Sequence, residues 1–259
     1  MKPLCNRAVF YFCTMLKIIA YPLSVLYLLL FGAILLLFHP LQWICFNWFG
    51  YEAHRKSVAI LNLCLLRCTH ILGTTYSFKN TQDIATDRPT ILVLNHQSMH
   101  DISPIIWFMR KHHPKFVSKM ELGKGIPSVS YNLRHGGSVL INRKDIRQSL
   151  AQIAHLGTYI ERHQRSAVIF PEGTRSKNGE PKKFHTTGLK VLIKKAPSAL
   201  IIPISINNSW KMLKYGKFPY GLGNHITFEV HPPMEITENT EELIAQVEQI
   251  ITKNITSIK

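Results

Sequence analysis

His96 and Asp101, within Asn95-His96-Gln97-Ser98-Met99-His100-Asp101, are the residue types from which acid–base chemistry is built. On one continuous helix a five-residue spacing would turn the two side chains about 140° apart, at 100° per residue. A strand-to-helix turn between them removes that obstacle. The preceding apolar run Ile91-Leu92-Val93-Leu94 reads as a buried strand that delivers His96 to its end, where active sites of layered α/β proteins lie. Asp101-Ile102-Ser103-Pro104 reads as a helix start, with Pro tolerated in the first turn. Folded back on His96, Asp101 would fix the imidazole tautomer and stabilise the imidazolium formed when His96 takes a proton. Asn95 and Ser98 are expected to shape the turn or cap the helix, and backbone N–H groups near the turn are natural oxyanion donors. A metal reading starts from the same run: His96 and His100 have the i, i+4 spacing of two imidazoles on one helix face, which with Asp101 would suit a zinc hydrolase. That helix lacks the Glu of a metalloprotease motif and an obvious third ligand.

A second constellation, Phe170-Pro171-Glu172-Gly173-Thr174-Arg175-Ser176, ends the apolar run Ala167–Phe170. Pro and Gly make a tight turn, Gly173 lets backbone N–H groups approach a ligand, and Arg175 offers a planar fork suited to phosphate. In isolation, such a loop would as readily pair Arg175 with Glu172. A third piece runs Lys119-Met120-Glu121-Leu122-Gly123, Ile126-Pro127 and Gly136-Gly137-Ser138-Val139-Leu140-Ile141-Asn142-Arg143, again delivering an Arg to a strand end. In the fourth, Ile201-Ile202-Pro203-Ile204-Ser205-Ile206, the Pro implies a bulge or an edge strand.

The elements that must position these residues divide at Gly73. Before it, Ile18 to Phe38 carries no charged side chain. As a helix these residues would cover about 31 Å, close to the ~30 Å hydrocarbon core of a bilayer. The run is too long for a cleaved signal peptide, and Phe38-His39-Pro40-Leu41 offers no small-residue cleavage site. Lys2, Arg7 and Lys17 precede it and Arg55, Lys56 and Arg67 follow it, so flanking charge chooses no orientation. Two arrangements satisfy this pattern: a single tilted span, or a re-entrant pair of helices broken at Pro22 and His39-Pro40, with Trp43, Trp48 and Tyr51 near the headgroups. Val58 to Leu72 suits an amphipathic helix docked on the membrane or the core. Residues 1–72 therefore read as a membrane-anchoring helical segment and 73–259 as an α/β domain. In the latter, strands are predicted at Thr75–Phe78, Thr90–Leu94, Lys115–Ser118, Ser138–Ile141, Ala167–Phe170, Leu200–Ile206 and His225–Val230, with helices between several of them. That alternation predicts a mixed, largely parallel central sheet flanked by helices. A final helix over Glu241–Ile250 is predicted with Thr240 as N-cap.

The 259 residues carry a formal net charge of +16, so the protein should meet something anionic. Between Ile102 and Phe228 stand 21 Lys and Arg against 5 acidic residues, which concentrates the basicity in the α/β domain. Lys182-Lys183 and Lys194-Lys195 look like ordinary surface pairs. Aromatic residues are not interleaved with the cations and no nucleic-acid motif is present, so nucleic acid is not expected as partner, and an anionic bilayer and substrate are. Cys5, Cys13, Cys45, Cys64 and Cys68 show neither a disulfide framework nor a zinc spacing and read as reduced packing residues.

Together the four blocks resemble the glycerophosphate acyltransferase superfamily, most closely its 1-acylglycerol-3-phosphate (lysophosphatidic acid) acyltransferases. The resemblance covers roughly Pro89 to Ile206, with the blocks in the family's order; Asn142 stands where an Asp often precedes the Arg, and Ser130-Tyr131 replace a Gly often seen after Pro127. It implies that His96 and Asp101 are the catalytic pair, and that Arg143, Glu172, Gly173, Thr174 and Arg175 form the lysophospholipid-phosphate site. Ile202-Pro203 match a block associated with acyl-donor binding or packing. It implies acyl transfer from acyl-CoA or acyl carrier protein to the free hydroxyl of a lysophospholipid, lysophosphatidic acid first and another lysophospholipid second, with no metal or other cofactor. It also implies an N-terminal helical pair docked on a membrane phospholipid surface, the catalytic domain facing the cytoplasm, which in a bacterium means the inner membrane. A non-catalytic anionic-lipid binder at the membrane would need the cations but not His96.

Overall fold

The structure, a computed structural model, describes the backbone of residues 3–255 and side chains from residue 14 onward. Lys2 and the side chains of Cys5, Arg7 and Cys13 lie outside the described residues. Seven strands form: β1 Thr75–Lys79, β2 Thr90–Leu94, β3 Pro114–Lys119, β4 Val139–Ile141, β5 Ser166–Ile169, β6 Leu200–Asn207 and β7 His225–Val230. They make one sheet in the order β1-β7-β6-β2-β5-β3-β4. All neighbours are parallel except β6 and β7. The mixed, largely parallel sheet expected from the strand–helix alternation is the one found.

Every residue of β2 is buried, because strands on both sides and layers on both faces cover it. The two-residue period of a strand sorts its side chains. Leu92 and Leu94 join Val168, Ile202, Ile204 and Phe228 on one face, beneath α2 Ile102–Phe108. Ile91 and Val93 join Ala167, Ile169 and Ile201 on the other. That second face is covered by α4 Ile146–His163, α5 Thr186–Lys195 and α6 Thr240–Lys253, whose apolar sides supply Leu156, Leu192 and Val247. The short α3 Val129–His135 lies between β3 and β4 in the chain. The N-cap of α6 is Asn239, whose side chain accepts from the Glu242 amide, so the expected Thr240 cap is corrected by one residue. The amide side chain wins the role because its carbonyl reaches the third helical N–H.

Pro203 does not mark an edge. β6 is internal, and the proline pairs with Val93 of β2. The N–H and C=O of Ile201 both bond Met234 on the β7 side of β6, and Pro203, two residues on, faces the same way. Its carbonyl accepts from His231, just beyond the end of β7, so the missing N–H falls where the regular ladder has stopped.

The N-terminal helical run, α1 Pro3–Cys68, is broken at Gly50 (φ 76°, ψ −166°) and not at the expected prolines. Pro22 and Pro40 both lie inside helix, whereas Gly50 adopts a backbone conformation that is essentially glycine-only. The limbs, residues 3–49 and 51–68, fold back on each other, with Leu35 and Phe38 of the first packed on Leu61 and Leu65 of the second. The first limb also enters the main core: Tyr27 is buried with Leu72, Leu92 and Ile105, and Ser24 Oγ accepts from the Tyr220 amide at 2.9 Å. Cys45, Cys64 and Cys68 are free thiols, Cys68 in the core.

Candidate active site

The sheet presents the carboxyl ends of β2, β3, β4, β5 and β6 along one edge, and each conspicuous polar residue follows one of those ends. Asn95 leaves β2 and ties it to β6: its side chain donates to the Ile206 carbonyl (2.9 Å) and accepts from the Ile206 amide (2.7 Å). His96 comes next, and the chain turns sharply. Ser98 caps that turn by accepting from the His100 amide at 3.0 Å, and Asp101 closes it at the entrance to α2. Both Asn95 and Ser98 therefore shape the backbone, as their residue types suggested.

Asp101 is fully buried. Its Oδ2 lies 2.8 Å from His96 Nδ1, and accepts from the amides of Gln97 (2.8 Å) and Ser98 (2.9 Å). Its Oδ1 accepts from the Ser209 hydroxyl. Four donors thus fill the carboxylate's two oxygens and leave it one orientation. A carboxylate can only accept, so it holds the proton of His96 on Nδ1 and leaves Nε2 to face a substrate. The imidazole is stacked at 4.2 Å on Phe170, at the end of β5, which fixes the ring plane. Two of the turn amides considered as oxyanion donors are thus consumed by Asp101, and a third, that of His96, donates to Glu172 Oε1 at 3.0 Å. Those three are corrected out of the role, because the turn needs them for its own closure.

Glu172 is itself buried, with Oε2 unpartnered, and burial pushes its carboxyl up to about 7 against the opposing pull of the His96 amide. Gly173 turns with φ 67°, its amide bonded to the Phe170 carbonyl, and the Ser176 amide donates to the His96 carbonyl at 2.7 Å. The loop after β5 is thereby laced to the turn after β2. Thr174 and Arg175 point outward from it. Lys182, which reads as a surface lysine, holds this loop by donating to Thr174 Oγ1 and to the Arg175 carbonyl, each at 2.9 Å.

Arg143, two residues past β4, stands near Arg175: burial and then the Arg175 charge hold its guanidinium below the usual range, with Glu121 opposing. Among the described residues no carboxylate lies within ion-pair distance of either arginine, and Glu172 is not the partner of Arg175. Arg143 and Arg175 thus present two planar cations without a carboxylate partner at one edge of the sheet, a donor set that suits an anion.

The zinc arrangement does not form. His100 is buried between Tyr27 and Tyr220, with ring centroids at 6.1 and 5.6 Å, while His96 stacks on Phe170. Burial also holds His100 down to about 4. The i, i+4 spacing fails because the turn between the two is not continuous α-helix. Among the described residues no three His, Cys, Asp or Glu side chains are grouped to hold a metal ion.

Reasoning from sequence missed Ser209, Phe170 and Lys182 as supports of this site. Ser209 carries only a weak signal, a small polar residue just after the β6 run, since its contact with Asp101 spans 108 positions.

The chain is also similar to known proteins. Over 133 residues the chain is 34% identical to a 1-acyl-sn-glycerol-3-phosphate acyltransferase of Helicobacter pylori, covering 48% of this chain and 54% of that protein. A relative of the same description from Chlamydomonas reinhardtii is 26% identical over 65% of this chain and 49% of its own length. The chain thus spans about half the length of these two curated relatives. A third, from Borreliella burgdorferi, is 26% identical over 79% of this chain and 81% of its own. The crystal structure of the 1-acyl-sn-glycerophosphate acyltransferase PlsC from Thermotoga maritima has the same fold, with a TM-score of 0.74 at 22% identity, over 89% of this chain and 92% of that one. The family model for acyltransferases matches residues 76–207 of the 259, a stretch that takes in the turn from His96 to Asp101, Arg143 and the loop from Glu172 to Arg175. With half of the chain inside that match, the chain belongs to the acyltransferase family.

Proposed function

We propose that the protein transfers a fatty acyl group from a thioester donor, acyl-CoA or acyl carrier protein, to the free hydroxyl of 1-acylglycerol-3-phosphate, giving phosphatidic acid. The observation that carries this reading is the 2.8 Å contact of His96 Nδ1 with a buried, fully satisfied Asp101, on the same strand edge as Arg143 and Arg175. His96 Nε2 takes the hydroxyl proton as the oxygen attacks the thioester carbonyl. The tetrahedral intermediate collapses with loss of the thiolate, and the imidazolium returns the proton to sulfur. Asp101 orients the ring and stabilises its charged form. Arg143, with Gly173, Thr174 and Arg175, receives the acceptor's phosphate, while Glu172 holds the loop against His96. No metal or further cofactor takes part.

Residues 1–72 serve as the membrane anchor. The apolar stretch Thr14–Leu72 has the length and composition of a membrane-crossing helix. Its break at Gly50 and the exposed Ile18, Leu29, Leu36, Leu37 and Trp48 support a hairpin lying in one leaflet, and the basic residues on both flanks are the reason for placing both ends and the catalytic domain on the cytoplasmic side. Met99, Met120, Leu122 and Ile146 are likewise exposed past the ends of β2, β3 and β4, at the edge of the sheet that carries the site. A mere anionic-lipid binder would have no use for the His96–Asp101 pair. Incorporation of labelled acyl-CoA into lysophosphatidic acid by the purified protein tests the reading: His96→Ala is expected to lower the rate by about 10²–10⁴-fold with the fold intact. Retention of more than about a tenth of the activity would refute His96 as the base.

A further inference from the structure

A second cluster of cations lies at the opposite end of the sheet. β3 and β5 begin side by side, Pro114 paired with Ser166, and β2 begins at the same level, Thr90 with Ser166. Lys115 therefore sits at the amino ends of the strands, the full length of β2 away from His96. A shallow cleft is lined there by Tyr51, His54, Arg55, Arg110, His113 and Lys115. Its walls come from the second limb of the N-terminal hairpin, the turn before β3, and β3 itself.

The cleft holds charge that the fold does not neutralise. Lys115 is only 6% exposed, its stem buried while its ammonium opens to the cleft, and among the described residues no carboxylate or hydrogen-bond acceptor meets that ammonium. It lies over the face of Tyr51, 4.9 Å from the ring centroid. The Arg165 guanidinium also packs on that ring, at 3.7 Å. A ring face offsets only part of the cost of partly desolvating an ammonium, so an anion entering the cleft would meet a cation that the fold leaves unpaired. His54 Nε2 is buried in the same wall without a partner. Glu52 is engaged by Arg55 at 2.7 Å, and Arg55 also donates to the Arg110 carbonyl. Burial, with Arg165 and Arg55 nearby, holds Lys115 down to about 7, and burial holds His113 down to about 4.

We infer that this cleft is a binding site for a phosphate group, separate from the acyl-transfer site, with Lys115 as its buried anchor and Arg110 at its side. Two lining cations without a carboxylate partner, Lys115 and Arg110, favour a multiply charged oxyanion over a carboxylate. The phosphate has two sources, a bilayer lipid headgroup or free phosphate. Trp48 and Phe49, 71% and 69% exposed beside the hairpin turn that opens the cleft, set it at the depth where headgroups lie if the hairpin enters a leaflet.

The test uses the full chain carrying Arg143→Ala and Arg175→Ala, so that the proposed acceptor site contributes nothing. Inorganic phosphate is titrated calorimetrically into this protein in maltoside micelles, with sodium chloride at matched ionic strength as reference. In parallel, the same protein is floated with phosphatidylcholine vesicles lacking or containing phosphatidic acid. Lys115→Met keeps the stem's bulk and removes the charge, and it is expected to weaken binding roughly 10- to 150-fold, the range for losing a hydrogen bond to a charged group. Saturable phosphate uptake lost in Lys115→Met supports the site with free phosphate as a sufficient ligand. Capture by phosphatidic acid vesicles alone, lost in the same variant, supports it with a lipid headgroup as the ligand. Should Lys115→Met fail to fold, the half-buried Arg110→Gln serves the same comparison. If neither arm separates variant from parent, the inference is wrong.

Discussion

Replacing Asp101 by Asn tests the proposed chemistry with little change of shape. Oδ2 carries three donors, His96 Nδ1 and the amides of Gln97 and Ser98, and Oδ1 only the Ser209 hydroxyl. An asparagine can therefore keep its carbonyl toward the three fixed donors and turn its NH₂ to Ser209, whose hydroxyl can rotate to accept. The turn should survive, and the loss is the negative charge beside the imidazolium. Charge centres about 4 Å apart attract by about 4 kcal/mol at an effective dielectric of 20. That is roughly 10³-fold in rate, and the retained amide dipole returns part of it, so kcat should fall by about 10²–10³. KM should hold, because the contact gains its strength only once His96 is charged in the transition state. Initial rates with labelled acyl-CoA in micelles, beside a thermal melt of each protein, give both quantities. A kcat within about fivefold of wild type in a protein that melts normally, or a loss confined to KM, would refute the assignment.

Arg143→Ala and Arg175→Ala should each weaken use of lysophosphatidic acid roughly 10- to 150-fold, mainly through KM, with Lys recovering only part because a point charge cannot reproduce the fork. Monoacylglycerol, which keeps the hydroxyl and lacks the phosphate, is the control acceptor; equal losses on both acceptors would remove these arginines from the phosphate site. Glu172 predicts a pH dependence of stability. Its carboxyl is raised from 4.5 to about 7, so its contribution is complete below pH 4.5 and is lost as the pH rises through 7. His100, lowered from 6.5 to about 4, acts in the opposite sense over an overlapping range, so the quantity to follow is the difference between wild type and Glu172→Gln. The melting temperature of the variant should gain on that of wild type between pH 5 and 8, and a constant difference would contradict a buried, proton-holding Glu172.

The sequence by itself determined what local pattern controls. All seven strands were legible because apolar runs bounded by Gly, Pro and polar residues make buried strands whatever surrounds them. The turn from His96 to Asp101 was legible for a related reason: a five-residue spacing serves acid–base chemistry only where strand passes to helix, and the flanking residues encode that passage. Other features depended on partners distant in the chain. The hairpin bends at Gly50, and not at Pro22 or Pro40, because limb-to-limb packing of Leu35 and Phe38 on Leu61 and Leu65 favours a reversal there, which only a glycine can make at low cost. Pro203 sits inside the sheet because β7 happens to end beside its nitrogen. Ser209 meets Asp101 only when β6 is laid against β2, and Lys182 becomes a clasp only once the loop after β5 folds over it. Lys115, an unremarkable residue at the start of a strand, acquires its chemistry from Tyr51 and Arg165, which lie far from it in sequence and are brought against it by the hairpin and the sheet. Residue type and short spacing set which chemistry each segment could perform; burial and long-range contact, which no local pattern encodes, decided which groups meet and which charges are left for a ligand.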